Sequence, residues 1–229
     1  MEKTKFINIA VDGPSGAGKS TLSKEAAKEL GFIYVDTGAM YRALGLMAFE
    51  NKIDPKNEDA VKGILKKAEI SFQNIDGKST VFLNGENVES KIRQNEISKY
   101  ASDISALPVV RAFLLDMQKQ LAAKNNVIMD GRDIGTVVLP AADIKLFLTA
   151  TPEDRAKRRC DELLERGQSL DYDIILKEIK ERDFNDSNRP VAPLKQADDA
   201  VLIDTTGNTY EKSRALVINT IKEKLNELL

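Results

Sequence analysis

The residues best suited to chemistry in this chain lie in the stretch Asp12 to Thr21, DGPSGAGKST, and the chemistry they suit is the handling of phosphate. Gly13, Gly16 and Gly18 allow a tight backbone turn with its N–H groups facing inward, which makes a concave site for anionic oxygens. Pro14, Ser15 and Ala17 complete the loop, and Lys19, Ser20 and Thr21 open the segment that follows. Residues 13–21 therefore read as a cradle for the phosphates of a nucleoside triphosphate. Lys19 is expected to reach the β- and γ-phosphates, and the Ser20 hydroxyl to hold Mg²⁺.

Such a cradle works only between a strand and a helix, whose N-terminal amides add positive potential. Both are predicted. Phe6 to Val11 is an apolar, β-rich run, and Leu22 to Leu30 is amphipathic with a helical period. Four more short apolar runs follow: Phe32 to Val35, Val127 to Met129, Ile144 to Thr149 and Ala200 to Ile203. Near-continuous apolar strands alternating with helical stretches predict an α/β fold, a parallel five-stranded sheet flanked by helices. Ligands in such folds bind beyond the carboxyl ends of the strands.

Two segments depart from that rhythm. Within residues 51–108, EISFQNIDGKSTVFLNGENV alternates apolar and polar residues about Asp76-Gly77, which predicts an antiparallel hairpin. Helical pieces from Glu58 to Ala68 and Ser90 to Ala106 flank it, so this region reads as an insert. From Pro152 to Glu181 two helices broken near Gly167 are expected, with Arg155, Lys157, Arg158, Arg159 and Arg166 gathered in the first. Cations so placed suit a helical lid, about residues 152–181, that excludes competing water from a triphosphate.

Composition removes other chemistries. The 34 Lys and Arg nearly balance 36 Asp and Glu, for a formal charge of −2, so no bulk attraction to nucleic acid or membrane is expected. No apolar run approaches the roughly 18 residues of a spanning helix. Cys160 is the one cysteine, and with no signal peptide a cytoplasmic location is expected. The chain contains no histidine, which excludes imidazole as base, acid or metal ligand.

The acceptor must be read from the loops after the other strands. VDTGAMYR brings Thr37, Tyr41 and Arg42; MDGRDIGT brings Asp130, Arg132 and Asp133; Arg111 follows Pro108 on a predicted helix. In ERDFNDSNRPVAP, the spacing i, i+4, i+7 aligns Arg182, Asp186 and Arg189 on one face of a helix that lasts that far. At a strand's end beside the glycine loop, Asp130 is suited to bind Mg²⁺ directly or through water. Two strings tempt a GTPase reading, NKID (Asn51 to Asp54) and DTTG (Asp204 to Gly207), but their order is reversed and NKID follows a helix-like stretch.

Together, GPSGAGKST, VDTGAMYR, GRDIGT and ERDFNDSNRPVAPL, in this order over nearly the whole chain, resemble the bacterial cytidylate kinases. The resemblance implies a P-loop nucleoside monophosphate kinase, with a core of residues 1–50 and 109–229 and a monophosphate-binding insert of residues 51–108. It implies ATP-dependent phosphorylation of CMP, and of dCMP, to the diphosphate by direct in-line transfer. Arg42 and Arg132 would grip the acceptor phosphate, and Arg111, Asp133 and Ser102 would read the base. Arg182, Asp186 and Arg189 would hold the ribose and bridge toward the transferring group. Arg158 would be the lid cation, with Arg159 the alternate; Lys19, Arg132, Arg158, Arg182 and Asp186 form the implied catalytic set. A monomer is expected. The rivals are a kinase for another nucleoside monophosphate and a non-catalytic P-loop nucleotide-binding module.

Overall fold

The first apolar run forms strand β1 (Asn8–Asp12), buried from Ile9 onward because neighbours pair with it on both sides. These relations come from a computed structural model, which describes residues 6–75, 78–165, 167–168 and 171–228. Five parallel strands run in the order β2, β6, β1, β7, β8, where β2 is Ile33–Asp36, β6 is Val127–Gly131, β7 is Ile144–Thr149 and β8 is Val201–Asp204. Four of the five expected runs extend one or two residues further at their carboxyl ends than apolarity suggested. The ladder continues through polar residues: Asp12 pairs with Gly131 and Thr149 with Asp204.

The chain divides into two compact units, Met1–Tyr34 with Lys124–Leu229, and Val35–Ala123. In the first, helices α1 (Lys19–Leu30) and α8 (Tyr210–Leu228) contribute Leu22, Ala26, Val217 and Ile221 to a core with Ile9, Val11, Ile128 and Leu146. Helices α6 (Pro152–Glu165) and α7 (Tyr172–Asn188) pack on each other through Ala156, Leu163 and Ile175. The expected break between them is present around Gly167; Arg166 lies outside the described residues.

The second unit has its own core, built on α2 (Thr37–Glu50), α3 (Glu58–Leu65), α4 (Asn95–Ile104) and α5 (Pro108–Ala122). Asp36 caps α2 by accepting from the Ala39 N–H at 2.8 Å. Strands β3 (Ile70–Ile75) and β4 (Lys78–Leu83) pair antiparallel, with Ile75 opposite Lys78, and β5 (Glu86–Asn87) pairs with β4. The Asp76-Gly77 turn itself lies outside the described residues. The helical piece expected from Ser90 to Ala106 is divided: a 3₁₀ turn, Lys91–Arg93, precedes α4 because Gln94 is extended, with ψ 150°. Asn51 of the NKID string caps α2 through its N–H and side-chain amide on the Met47 carbonyl, so no strand precedes it. Among the described residues no helix is long and apolar enough to cross a membrane.

Candidate active site

Between β1 and α1 the glycine loop has three left-handed residues, Gly13 (φ 145°), Gly16 (φ 78°) and Gly18 (φ 84°). Gly13 is fixed by crowding as well as conformation: a Cβ there would stand 1.9 Å from the Leu148 carbonyl oxygen of β7. No side chain caps α1, so its first-turn amides remain available to an anion. Lys19 begins that helix, buried, with Nζ donating to the Pro14 carbonyl at 2.7 Å. The ammonium is thereby folded back over the loop.

Strand register then brings the next motif to the same end of the sheet. Val11 is level with Asp130 and Asp12 with Gly131, so Asp130 and Arg132 emerge beside the glycine loop. Ser20 Oγ donates to Asp130 Oδ2 at 2.8 Å, and the Tyr34 hydroxyl donates to Oδ1 at 3.0 Å. The two candidate cation ligands are therefore adjacent, and Tyr34, in the sequence only one more residue of an apolar run, orients the carboxylate.

Helix α7 lasts long enough to bring Arg182 and Asp186 onto one stripe, and Arg189 forms its C-cap. Arg132 Nε donates to Asp186 Oδ2 at 2.8 Å. Burial alone would raise the Asp186 pKa; the charges of Arg132, Arg182 and Arg189 more than reverse this and hold it below the usual carboxylate value. Lys19 shows the complement. Burial, then the guanidiniums of Arg132 and Arg182, push its pKa well below that of an ordinary lysine, against the pull of Asp130 and Asp12. Three cations thus stand within electrostatic reach of one another beside a phosphate-shaped loop, an arrangement that favours polyanions.

Arg132 leads into a π-type turn, Ile134–Val138, a rare local form often found at functional sites. Asp133, buried just before it, accepts from Arg189 at 3.2 Å, and Arg189 Nε donates to the Ala192 carbonyl at 2.6 Å. Asp12 accepts from the turn's Ile134 and Gly135 N–H groups at 2.8 and 2.7 Å.

Arg158 is apart from that cluster. Its guanidinium binds the Thr205 carbonyl at 2.6 Å and Oγ1 at 3.2 Å, and pairs with Asp154 at 2.5 Å, which holds it at the DTTG loop after β8. Arg159 pairs with Glu162 one turn along. The arginine of α6 that reaches the glycine loop is Arg155, whose guanidinium donates to the carbonyls of Ala150 and Ser15 at 2.9 Å and grips both oxygens of Asp183. Sequence offered no means of ranking Arg155 above its neighbours, because all three arginines lie on the same charged helix.

The other candidates belong to the second unit. Arg42 pairs with Asp36 at 2.9 Å, and Thr37 is buried at the start of α2. The Arg111 guanidinium lies over the Tyr41 ring, 5.7 Å from its centroid, and donates to the Ser105 carbonyl at 3.2 Å. Ser102 lies on α4, and its carbonyl accepts from the Ser105 hydroxyl at 2.8 Å.

Comparison with known proteins settles what kind of protein carries this arrangement. The family model described as cytidylate kinase matches residues 9–226. The chain belongs to the cytidylate kinase family. A cytidylate kinase of Caldicellulosiruptor bescii is 54% identical over 208 residues, covering 91% of this chain and 92% of that protein. One from Streptococcus mutans is 47% identical over 225 residues, 97% of each chain. The crystal structure of an uncharacterized protein from Eubacterium ventriosum is similar in fold, with a TM-score of 0.52 at 14% identity, covering 96% of this chain and 99% of that one. As a cytidylate kinase family member the chain is a phosphotransferase with nucleotide substrates and a nucleotide phosphoryl donor.

Proposed function

We propose that this protein transfers the γ-phosphoryl group of ATP to CMP and dCMP by in-line displacement, as a monomer in the cytoplasm. The observation that carries the reading is the grouping of Arg132 and Arg182 about Lys19 at the glycine loop, where both guanidiniums push the lysine's pKa down. A phosphomonoester has a second pKa of about 6, so near neutral pH its oxygens are largely ionised and no base need deprotonate them. The barrier lies in bringing two polyanions into line, and positioned cations lower it. That logic suits a chain without histidine.

Residues 13–21 would cradle the ATP phosphates, with Lys19 on the β- and γ-oxygens. Ser20 and Asp130, already hydrogen-bonded to each other, are oxygen donors of the kind Mg²⁺ takes and would hold it, directly or through water. Bound there, Mg²⁺ would neutralise charge on the donor phosphates. Arg42 and Arg132 are assigned to the acceptor phosphate, Arg182, Asp186 and Arg189 to the ribose and the transferring group. Residues 51–108 serve as the monophosphate-binding insert, with Thr37 and Tyr41 at its approach. Residues 152–181 serve as the lid, with Arg158 its cation.

Base choice is assigned to Ser102, Arg111 and Asp133. Cytosine presents an N4 amino donor beside the N3 and O2 acceptors, so a carboxylate and a guanidinium match it; uracil would turn O4 toward the carboxylate. An ATP-consumption assay with CMP, dCMP, UMP and AMP tests the reading, with turnover expected for the cytosine nucleotides. Turnover with UMP or AMP alone would refute the base assignment, and none with any monophosphate would favour a binding module. Lys19→Ala is expected to lower kcat at least about a hundredfold with an unchanged circular dichroism spectrum; near-normal turnover would remove the glycine loop from the mechanism.

A further inference from the structure

Asp12 is the last residue of β1, 3% exposed, and none of the roles above uses its carboxylate. Both of its oxygens are committed to one short segment, Oδ1 accepting from the Ile134 N–H and Oδ2 from the Gly135 N–H. That segment directly follows Arg132 and Asp133, while Asp12 directly precedes Gly13. The bonds therefore tie the start of the donor loop to the start of the acceptor turn, across a pairing in which Asp12 is level with Gly131. Gly135 is closely hemmed: a Cβ there would stand 3.3 Å from Asp12 Oδ2 and 3.1 Å from the Lys145 side chain.

We propose that Asp12 is a positioning residue, holding the Arg132–Asp133 segment in fixed register with the glycine loop so that acceptor and donor are presented in line. This inference rests on the acceptor role assigned above to Arg132 and Asp133. Ionising this carboxylate is costly. Burial, against the help of the two N–H groups, pushes its pKa up to about 6, and neighbouring Asp133 adds to the effect. A fold that needed only a cap on the π-type turn gains nothing from that charge; a segment that must not slip by a fraction of an ångström gains two charge-assisted bonds.

Asp12→Asn preserves the shape but turns an amide N–H₂ toward one of the two backbone donors. Gly135→Ala disturbs the same contact from its other side, with the carboxylate intact. Steady-state kinetics at pH 8, equilibrium binding of an ATP analogue and thermal melts are compared for both variants and the unaltered protein. The expected result in each is a loss of at least tenfold in kcat/KM for CMP, with ATP-analogue affinity within twofold and the melting midpoint within a few degrees. Unchanged kcat/KM, a parallel loss of ATP-analogue affinity, or a collapse of the melting midpoint in both variants would overturn the proposal. If one variant fails to fold, the other decides. Absence of CMP turnover in the unaltered protein would instead refute the function on which the inference rests.

Discussion

Asp133 and Asp12 are two buried carboxylates at the same turn with different partners, Arg189 for one and the turn's own N–H groups for the other. Asp133 accepts from Arg189 and is assigned to the base, so Asp133→Asn is expected to narrow the preference for CMP over UMP at least tenfold, read as the ratio of kcat/KM values. An unchanged ratio would mean that Asp133 serves Arg189 rather than the base. Asp12 makes a prediction about stability. Its folded-state pKa of about 6 lies above the ordinary 3.8, so between those values the native protein binds the proton more tightly than the unfolded chain. The associated stability is fully present below pH 3.8 and is lost as pH rises through 6, to a total of roughly 3 kcal/mol. Asp12→Asn cannot titrate. In urea denaturation, the stability of Asp12→Asn minus that of the unaltered protein should therefore rise by about that amount from pH 4 to pH 7; a flat difference would show that Asp12 titrates normally. The charge of Asp12 was visible in the sequence, but its partners were not, since Ile134 and Gly135 lie more than a hundred positions away.

At the scale of elements, α7 presents different faces to different tasks. Arg182 and Asp186 share the stripe directed at the glycine loop, while Asp183, about 100° around the helix, faces α6 and binds Arg155. Asp183→Ala leaves the Arg155 guanidinium buried without its carboxylate, which should cost roughly 3 kcal/mol of stability in denaturant titration. A loss well under 1 kcal/mol would make this an ordinary surface pair. The spacing of Arg182, Asp186 and Arg189 announced their common face, because helical period is a local property. Which of Arg155, Arg158 and Arg159 meets the loop was not announced. A short stretch of charged helix offers three arginines, and only the contacts of Arg155 with Ala150, Ser15 and Asp183 of α7 distinguish it.

For the molecule as a whole, the family makes the chain a nucleotide phosphotransferase, and the fold sets its glycine loop at the carboxyl end of a parallel sheet. A ligand that binds only the folded chain stabilises it by mass action. CMP at about a hundred times its Kd is expected to add roughly 2.7 kcal/mol and raise the melting midpoint by several degrees, with UMP at the same concentration doing less. No shift with any nucleoside monophosphate would contradict the acceptor assignment. By itself the sequence determined the kind of fold and the kind of residues on offer: the glycine loop with Lys19, the alternation of apolar runs and helical stretches, the hairpin pattern, and a chain without imidazole. These depend on residue type and short-range period, which a chain carries in its local order. Only the tertiary structure decided that β6 lies beside β1 in a register bringing Asp130 and Arg132 to the loop, that Tyr34 and Ser20 share one carboxylate, that Asp12 binds the backbone of the turn after Asp133, and that Arg155 rather than Arg158 touches Ser15. Such partnerships join residues far apart in the chain. They are chosen by which buried surfaces and polar groups can be satisfied together, a condition that the neighbours of any one residue do not encode.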